Sequence, residues 1–527
     1  MDESKQEQLR RSARREANQG HPVAALRELD HLIGMGAANA DDWLLTGSLL
    51  CEIGEFAQAL GAFENCLLDA PQHVEARYEL GRALYKLGDA DAAARLIEQV
   101  AEETGRQEIW MGLATIAPAV PSYDHSRVRK VRERFAQLTR QAESPSRTTA
   151  PRRSSRRPSN KQAKKSGPIP LRIGYVSAHW QDANYMKPVW PMVNAHDRGR
   201  FRLYLLDDGV PRADAWHWLD GAAQTESIHG LDNRAAAQCL SSFELDVLVD
   251  LSAYSQPERM GLFVHRPAPI QMAWFNMYAT SGFHEFDYLI GDRSVLRRDE
   301  QRHLTERCLQ LPLSYLTFQT NHAAPDVELR SHDKHSIFAF GCLGTLYKIS
   351  PQVIATWGEI LRQAATAHLI LSARELKSAC NQQYIMDQFQ RHGVASERLT
   401  FAPPATHFDF LKHYALFDVA LDTFPYNGGT TTMEALWQGV PVLTFNGDRW
   451  ASRTSHSLLT HSHLSRFSVA SREEYIRTAI ELATQPELRS ELQLIRRDMR
   501  HQLAVSKVCD SQMLARKMEA LYVSACT

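Results

Sequence analysis

A period of 34 residues governs the start of this chain. Gly20, Gly54 and Gly88 fall 34 residues apart, Ala25, Ala59 and Ala93 keep the same interval, and Gly47 and Gly81 repeat it again. Within a unit, Trp43-Leu-Leu-Thr-Gly-Ser-Leu-Leu and Arg77-Tyr-Glu-Leu-Gly-Arg-Ala-Leu-Tyr read as one helix, Gln58-Ala-Leu-Gly-Ala-Phe-Glu as its partner, and Pro71 ends the pair. A lone helix pair cannot bury its apolar face, so each unit must stack on the next, with small residues where helices cross. About three repeats are visible, and Trp110-Met-Gly-Leu-Ala starts a degenerate cap. Residues 1–141 are assigned to this helical stack, which is either a concave surface for a protein partner or a spacer.

Residues 142–168 break the pattern. The stretch from Ser144 to Pro168 is rich in Pro, Ser, Arg and Lys and has no hydrophobic period, so it reads as a disordered basic tether. Beyond it, short apolar runs alternate with helical segments. Leu171-Arg-Ile-Gly-Tyr-Val-Ser, Arg202-Leu-Tyr-Leu-Leu, Asp246-Val-Leu-Val-Asp-Leu and Pro269-Ile-Gln-Met-Ala-Trp read as strands of a lobe spanning 169–333. The scheme recurs in a lobe over 334–505, with strands at Ile337-Phe-Ala-Phe-Gly, Ala367-His-Leu-Ile-Leu-Ser, Leu399-Thr-Phe, Val419-Ala-Leu-Asp and Pro441-Val-Leu-Thr-Phe. Such alternation predicts parallel sheets covered by helices on both faces. A last helix is expected within 506–527. The 527 residues suffice for roughly three or four domains.

The run from Asp422 to Leu443 carries the chemistry. An apolar strand ends in a Gly/Thr-rich turn, a helix opens at the threonines, and a second strand follows Gly439-Val-Pro. Unpaired N–H groups and the helix dipole make such a start a place for phosphate, Gly428 and Gly429 let the backbone come close, and Thr430 and Thr431 add hydroxyl donors. Glu434, one turn in, is placed to accept hydrogen bonds from a ribose. A capped helix after a tight turn gives the same pattern, but the carboxyl end of a strand in an α/β sheet is where ligands sit. Neither lobe holds G-x-G-x-x-G, which points away from a dinucleotide. A nucleoside diphosphate carrying a sugar fits better.

Other classes are disfavoured. A net charge of −1 gives no reason to expect nucleic acid binding, and no apolar run reaches the ~18–20 residues of a membrane span. The polar start, Met1-Asp-Glu-Ser-Lys, reads against a secretory signal. Eight cysteines without a C-x-x-C pair fit reduced thiols in the cytoplasm rather than disulfides or zinc, and the histidines lack ligand spacing.

The repeat resembles the tetratricopeptide repeat, and the whole chain resembles the bacterial and plant relatives of O-linked N-acetylglucosamine transferase, the SPINDLY family. The motifs that carry the likeness are Leu171-Arg-Ile-Gly-Tyr-Val-Ser, Asp246-Val-Leu-Val-Asp-Leu, Arg266-Pro-Ala-Pro-Ile-Gln, Leu346-Tyr-Lys-Ile-Ser-Pro, Leu421-Asp-Thr-Phe-Pro-Tyr-Asn-Gly and Ala451-Ser-Arg. The resemblance implies tetratricopeptide-like helices followed by two Rossmann-like α/β lobes, the glycosyltransferase B architecture. It implies metal-free, inverting transfer of a sugar, with UDP-GlcNAc as donor and a Ser or Thr hydroxyl of a protein held by the repeats as acceptor. Lys348 matches the lysine that neutralises the donor diphosphate, Thr430 and Thr431 match hydroxyls on it, and Glu434 stands at the ribose. Ala405 and His413 fall where the family contacts the base, and His407 lies near the ribose. Asp422 and Asn427 are expected to shape the turn.

The acceptor side departs from the family. Ala183 and Lys187 occupy histidine positions, Asn276-Met-Tyr-Ala-Thr280 replaces a Gly-Tyr-Pro-Gly-Thr loop, and Asp250-Leu-Ser-Ala-Tyr-Ser255 replaces Asp-Leu-Ser-Gly-His-Thr. Asp182, Tyr254 and Lys187 are the candidates for a general base. A changed sugar such as GDP-fucose, or a lapsed scaffold that binds partner proteins, stays open.

Overall fold

The computed structural model describes residues 3–144, 170–211, 220–221, 223–320, 322–330 and 337–527. The basic tether lies outside the described residues from 145 onward. Contacts divide the chain into two compact units, one of Met1–Asp124 with His322–Ser506, the other of His125–Asn321 with Lys507–Thr527. In the first unit the repeats form helices α1 (Glu3–Asn18), α2 (Pro22–Gly34), α3 (Ala40–Ile53), α4 (Phe56–Asp69), α5 (Val74–Lys86), α6 (Ala90–Thr104) and α7 (Gln107–Ile116). The periodic glycines have two jobs. Gly20, Gly54 and Gly88 turn the chain at φ of 75°, 88° and 97°, where a Cβ is strained. Gly47 and Gly81 mark helix crossings: a Cβ would fall 2.4 Å from the Phe63 ring at the first and 2.6 Å from Ile97 at the second. Asn39 and Asp42 close a capping box on α3.

Helix α8 (His125–Glu143) is part of the second unit, although the sequence reading gives it to the repeats. Its polar side chains explain why. Arg132 donates to the Met277 and Thr280 carbonyls at 3.0 and 2.7 Å, Arg140 pairs with Glu285 at 2.7 Å, and Glu143 meets His265 at 2.8 Å. The unit's sheet holds β1 (Leu171–Ser177), β2 (Phe201–Asp207), β3 (Gln224–Ser227), β4 (Val247–Asp250), β5 (Ile270–Ala273), β6 (Tyr288–Asp292) and β7 (Arg307–Leu311). All are parallel, in the order β3-β2-β1-β4-β5-β6-β7. The helix Ser511–Cys526 docks here through a buried chain: Tyr522 to Tyr175 at 2.8 Å, Tyr175 to His196 at 2.8 Å, and His196 to Glu519 at 3.0 Å.

The first unit's own sheet contains β8 (Ala339–Cys342), β9 (His368–Leu371), β10 (Leu399–Phe401), β11 (Val419–Leu421), β12 (Val442–Phe445) and β13 (Ser468–Val469), again all parallel. Their order, β10-β9-β8-β11-β12-β13, reverses direction between β8 and β11. At such a point the loops leaving two adjacent strands diverge and open a crevice at the carboxyl ends. Arg496, 2% exposed, donates to the carbonyls of Glu328, Tyr414 and Phe417 at 2.7 to 2.9 Å and ties the long helix Pro486–Ala504 to this sheet. The repeats join the same body: the Ala57 N–H donates to Asn381 Oδ1 at 2.9 Å, and Asn381 Nδ2 donates to the Gly54 carbonyl at 2.8 Å.

Candidate functional site

Between β8 and β11 lies a small cavity of about 30 Å³, lined by Cys342, Gly344, Lys348, Asp422, Gly428 and Thr431 among others. Each wall has a local cause. After β8 the chain enters a one-turn 3-10 helix, Leu346–Lys348, and Ser350 then caps the helix Pro351–Gln363. After β11 the buried Asp422 carboxylate accepts the N–H groups of Thr423 and Gly428 at 3.0 and 2.9 Å, folding the turn back on itself. Asn427 Nδ2 closes it by donating to the Thr423 carbonyl at 2.7 Å. Asp422 and Asn427 therefore shape the turn, as expected of those residue types. Gly429 occupies the cap position of the helix Thr430–Trp437, and Tyr414 donates to the Thr431 carbonyl at 3.0 Å. A Cβ at Gly428 would fall 2.5 Å from Thr432 Oγ1 and 2.8 Å from Thr431 Oγ1, so only glycine lets the turn lie this close to the threonines.

Lys348 reaches across to this turn. Its Nζ donates to the Asn427 carbonyl at 2.8 Å and lies 4.3 Å from the centre of the Tyr426 ring. Burial lowers its ammonium to about 8, while the Asp422 carboxylate opposes that shift. Asp422 is itself pushed up by burial and held down by the Gly428 N–H and Lys348. Lysine, turn and helix start thus line one pocket, in which the Lys348 ammonium faces the Asp422 carboxylate.

The other donor-side candidates flank it. His407 opens the helix His407–Lys412 and its Nε2 lies 2.9 Å from Glu434 Oε1; Glu434 is 5% exposed. His413 follows the same helix, with burial pushing it down, and Ala405 is exposed in the preceding loop. Neither lines the cavity around Lys348. Tyr414 escaped the sequence reading, and Tyr426, though inside the Leu421–Gly428 motif, received no role there, because an aromatic at helical spacing or in a turn looks like any core residue.

The base candidates belong to the second unit. Asp182 is exposed and caps the short helix Ala183–Met186, accepting the Tyr185 N–H at 3.0 Å. Tyr254 is 5% exposed; its hydroxyl donates to the Ser281 carbonyl at 2.6 Å, and the Arg132 guanidinium sits 3.7 Å from its ring centre. Burial also raises the phenol well above its ordinary value. That geometry makes Tyr254 a support for the 276–281 segment and a poor proton acceptor. Lys187 is 2% exposed. The sequence reading passed over His179, at the carboxyl end of β1. Its Nε2 lies 2.9 Å from Ser255 Oγ, and its ring packs on Tyr185 at 4.1 Å.

A family model described as glycosyl transferase family 41 matches residues 148–332 and 332–518. The chain belongs to glycosyl transferase family 41. A tetratricopeptide repeat model matches residues 52–116. Among the family's curated members, the chain is 29% identical over 362 residues to a protein of Hordeum vulgare named probable UDP-N-acetylglucosamine–peptide N-acetylglucosaminyltransferase SPINDLY. It is 26% identical over 366 residues to an Arabidopsis thaliana relative named SEC. Each alignment takes in 67% of this chain but only 38% and 36% of the relative, so the chain spans well under half of their length. The solved structure of an O-GlcNAc transferase mutant from Thermobaculum terrenum is similar over 99% of this chain and 98% of its own, with a TM-score of 0.79 and 26% identity. Helical repeats followed by two parallel α/β lobes give this family 41 protein the glycosyltransferase B architecture. Among its described residues no cluster of three or more His, Cys, Asp or Glu could hold a metal, and no helix is long and apolar enough to cross a membrane.

Proposed function

We propose that this family 41 protein is a protein O-glycosyltransferase that moves N-acetylglucosamine from UDP-GlcNAc to a Ser or Thr hydroxyl with inversion. One observation carries the reading: Lys348 Nζ bonds the Asn427 carbonyl at 2.8 Å, beside the helix start at Thr430 and at the reversal point of the sheet. A diphosphate resting on the Thr430–Thr431 N–H and hydroxyl groups would meet that ammonium. As the anomeric C–O bond breaks, the electron pair stays on the UDP oxygen, where these fixed donors stabilise the growing charge. The ammonium supplies positive charge to the leaving group without calling on a metal. Glu434 and His407 are assigned to the ribose, and Ala405 and His413 to the base. Asp182 is retained as the side chain nearest in role to a general base; Tyr254 is given a supporting role. The repeats are assigned to the acceptor protein, whose second contact would raise its local concentration.

Calorimetric titration with UDP and with GDP, followed by transfer of labelled sugar from UDP-GlcNAc to protein, tests this. UDP binding with label incorporation is the expected result. Tighter binding of GDP would redirect the donor to a GDP-sugar, and binding of neither would remove the reading. A lapsed scaffold is the second reading, favoured by the buried Lys187 at a family histidine position and by the fully committed Tyr254 hydroxyl. UDP binding without any turnover would select it.

A further inference from the structure

The turn that carries Lys348 is clamped by the repeats. Tyr347 stacks on Tyr85, in the last turn of α5, with ring centres 5.1 Å apart and planes 23° from parallel. Tyr347 in turn meets Tyr426 edge-on at 6.1 Å and 75°, and Tyr426 is the ring beneath the Lys348 ammonium. Three aromatic rings therefore run from a repeat helix to the lysine. The backbone reinforces them. Just past α5, Gly88 sits at φ +97°, and a Cβ there would fall 2.3 Å from the Ile349 carbonyl oxygen and 3.3 Å from that of Leu346, one on each side of Tyr347 and Lys348. The neighbouring repeat is fixed to the lobe as well, through Asn381, so α5 is held against the turn rather than resting loosely on it.

We propose that Tyr85 is a positioning residue for the donor diphosphate, holding Lys348 in place through Tyr347 and so coupling the repeat stack to the nucleotide site. The proposal rests on Lys348 being the counter-charge of the diphosphate. Offset-stacked rings fix one another's orientation, and a residue adjacent in a one-turn helix has no freedom to move alone. Coupling of this kind is reciprocal: what loosens α5 weakens nucleotide binding, and bound nucleotide stiffens the seam. The charged and titratable groups facing the ammonium are Asp422, Cys342, Tyr347 and Tyr426, none of which belongs to the repeats. A change at Tyr85 thus acts through position and not through a lost charge.

The test is titration of the full-length protein with UDP between pH 7 and 9.5, comparing wild type, Tyr85→Leu, Tyr85→Phe, Lys348→Ala and the double variant Tyr85→Leu/Lys348→Ala. Tyr85→Leu is expected to weaken UDP by about 5- to 30-fold, within the usual range of site coupling. It should also move the pH at which affinity falls. Tyr85→Phe keeps the ring and should restore affinity to within about threefold, and the Leu effect should vanish when Lys348 is already absent. Unchanged affinity and pH profile in Tyr85→Leu, beside a large loss in Lys348→Ala, overturns the proposal and leaves the donor site standing. A Tyr85→Leu loss that persists undiminished without Lys348 overturns it too. Unchanged affinity in Lys348→Ala removes the donor reading and this proposal with it. If Tyr85→Leu does not fold, Gly88→Ala takes its place: weaker UDP binding that depends on Lys348 supports the coupling, and unaltered binding contradicts it.

Discussion

Lys348 makes the sharpest demands at the scale of single residues. Replacing it with Ala should weaken UDP by more than about tenfold, the scale of a charge-assisted contact to phosphate. Its pH dependence has a definite sign. In the free protein burial holds the ammonium at about 8, below its ordinary 10.5, whereas a bound diphosphate would raise it. Below pH 8 the lysine is already charged and binding takes up no proton. Above pH 8 binding must bring one in, so affinity should fall by up to about tenfold per pH unit. Dissociation constants measured from pH 7 to 9.5 read this directly, and a flat profile would contradict it. Gly428 is the second test. Ala there would press on Thr431 and Thr432, cost about 1–3 kcal/mol by overpacking, and lower both the melting temperature and UDP affinity.

At the scale of elements, the 34-residue period separates glycines that are structural from those that are not. Gly47→Ala would force a methyl into the Phe63 ring and should cost about 1–3 kcal/mol, whereas Gly61→Ala meets nothing within 4 Å and should gain about 0.5–1 kcal/mol in α4. Thermal melts of the two variants shifting in opposite directions would bear this out. The strand, turn and helix from Val419 to Trp437 were legible because their apolar run, glycines and threonines state a local preference. β3, Gln224–Ser227, was not: all four side chains are exposed, and only its pairing with β2 makes it a strand. β13, Ser468–Val469, is half-buried but only two residues long, too short to show an alternation, and its pairing with β12 makes it a strand. Helix α8 falls almost wholly within the 1–141 repeat region of the sequence reading, but its allegiance depends on what Arg132 and Arg140 reach, which no periodicity encodes. Lys348, Gly428 and Thr431, each in a motif the sequence offers, line one cavity, while Tyr414 joins them only through its bond to the Thr431 carbonyl across the fold.

At the scale of the whole molecule, both units are assembled from segments far apart in sequence, and each relies on a long-range polar link. Glu519→Ala would leave His196 Nδ1 and the Asp197 N–H without their buried acceptor and should destabilise the second unit by about 1–3 kcal/mol, seen as a lower unfolding temperature. In the first unit the repeats and one α/β lobe share a body, which is what lets a helix far from the nucleotide bear on Lys348. A crystal structure with UDP should place the diphosphate on the Thr430–Thr431 helix start with the Lys348 Nζ at roughly 3 Å, an ordinary charge-assisted distance. A diphosphate bound elsewhere, with that helix start left to solvent, would contradict the proposed donor site.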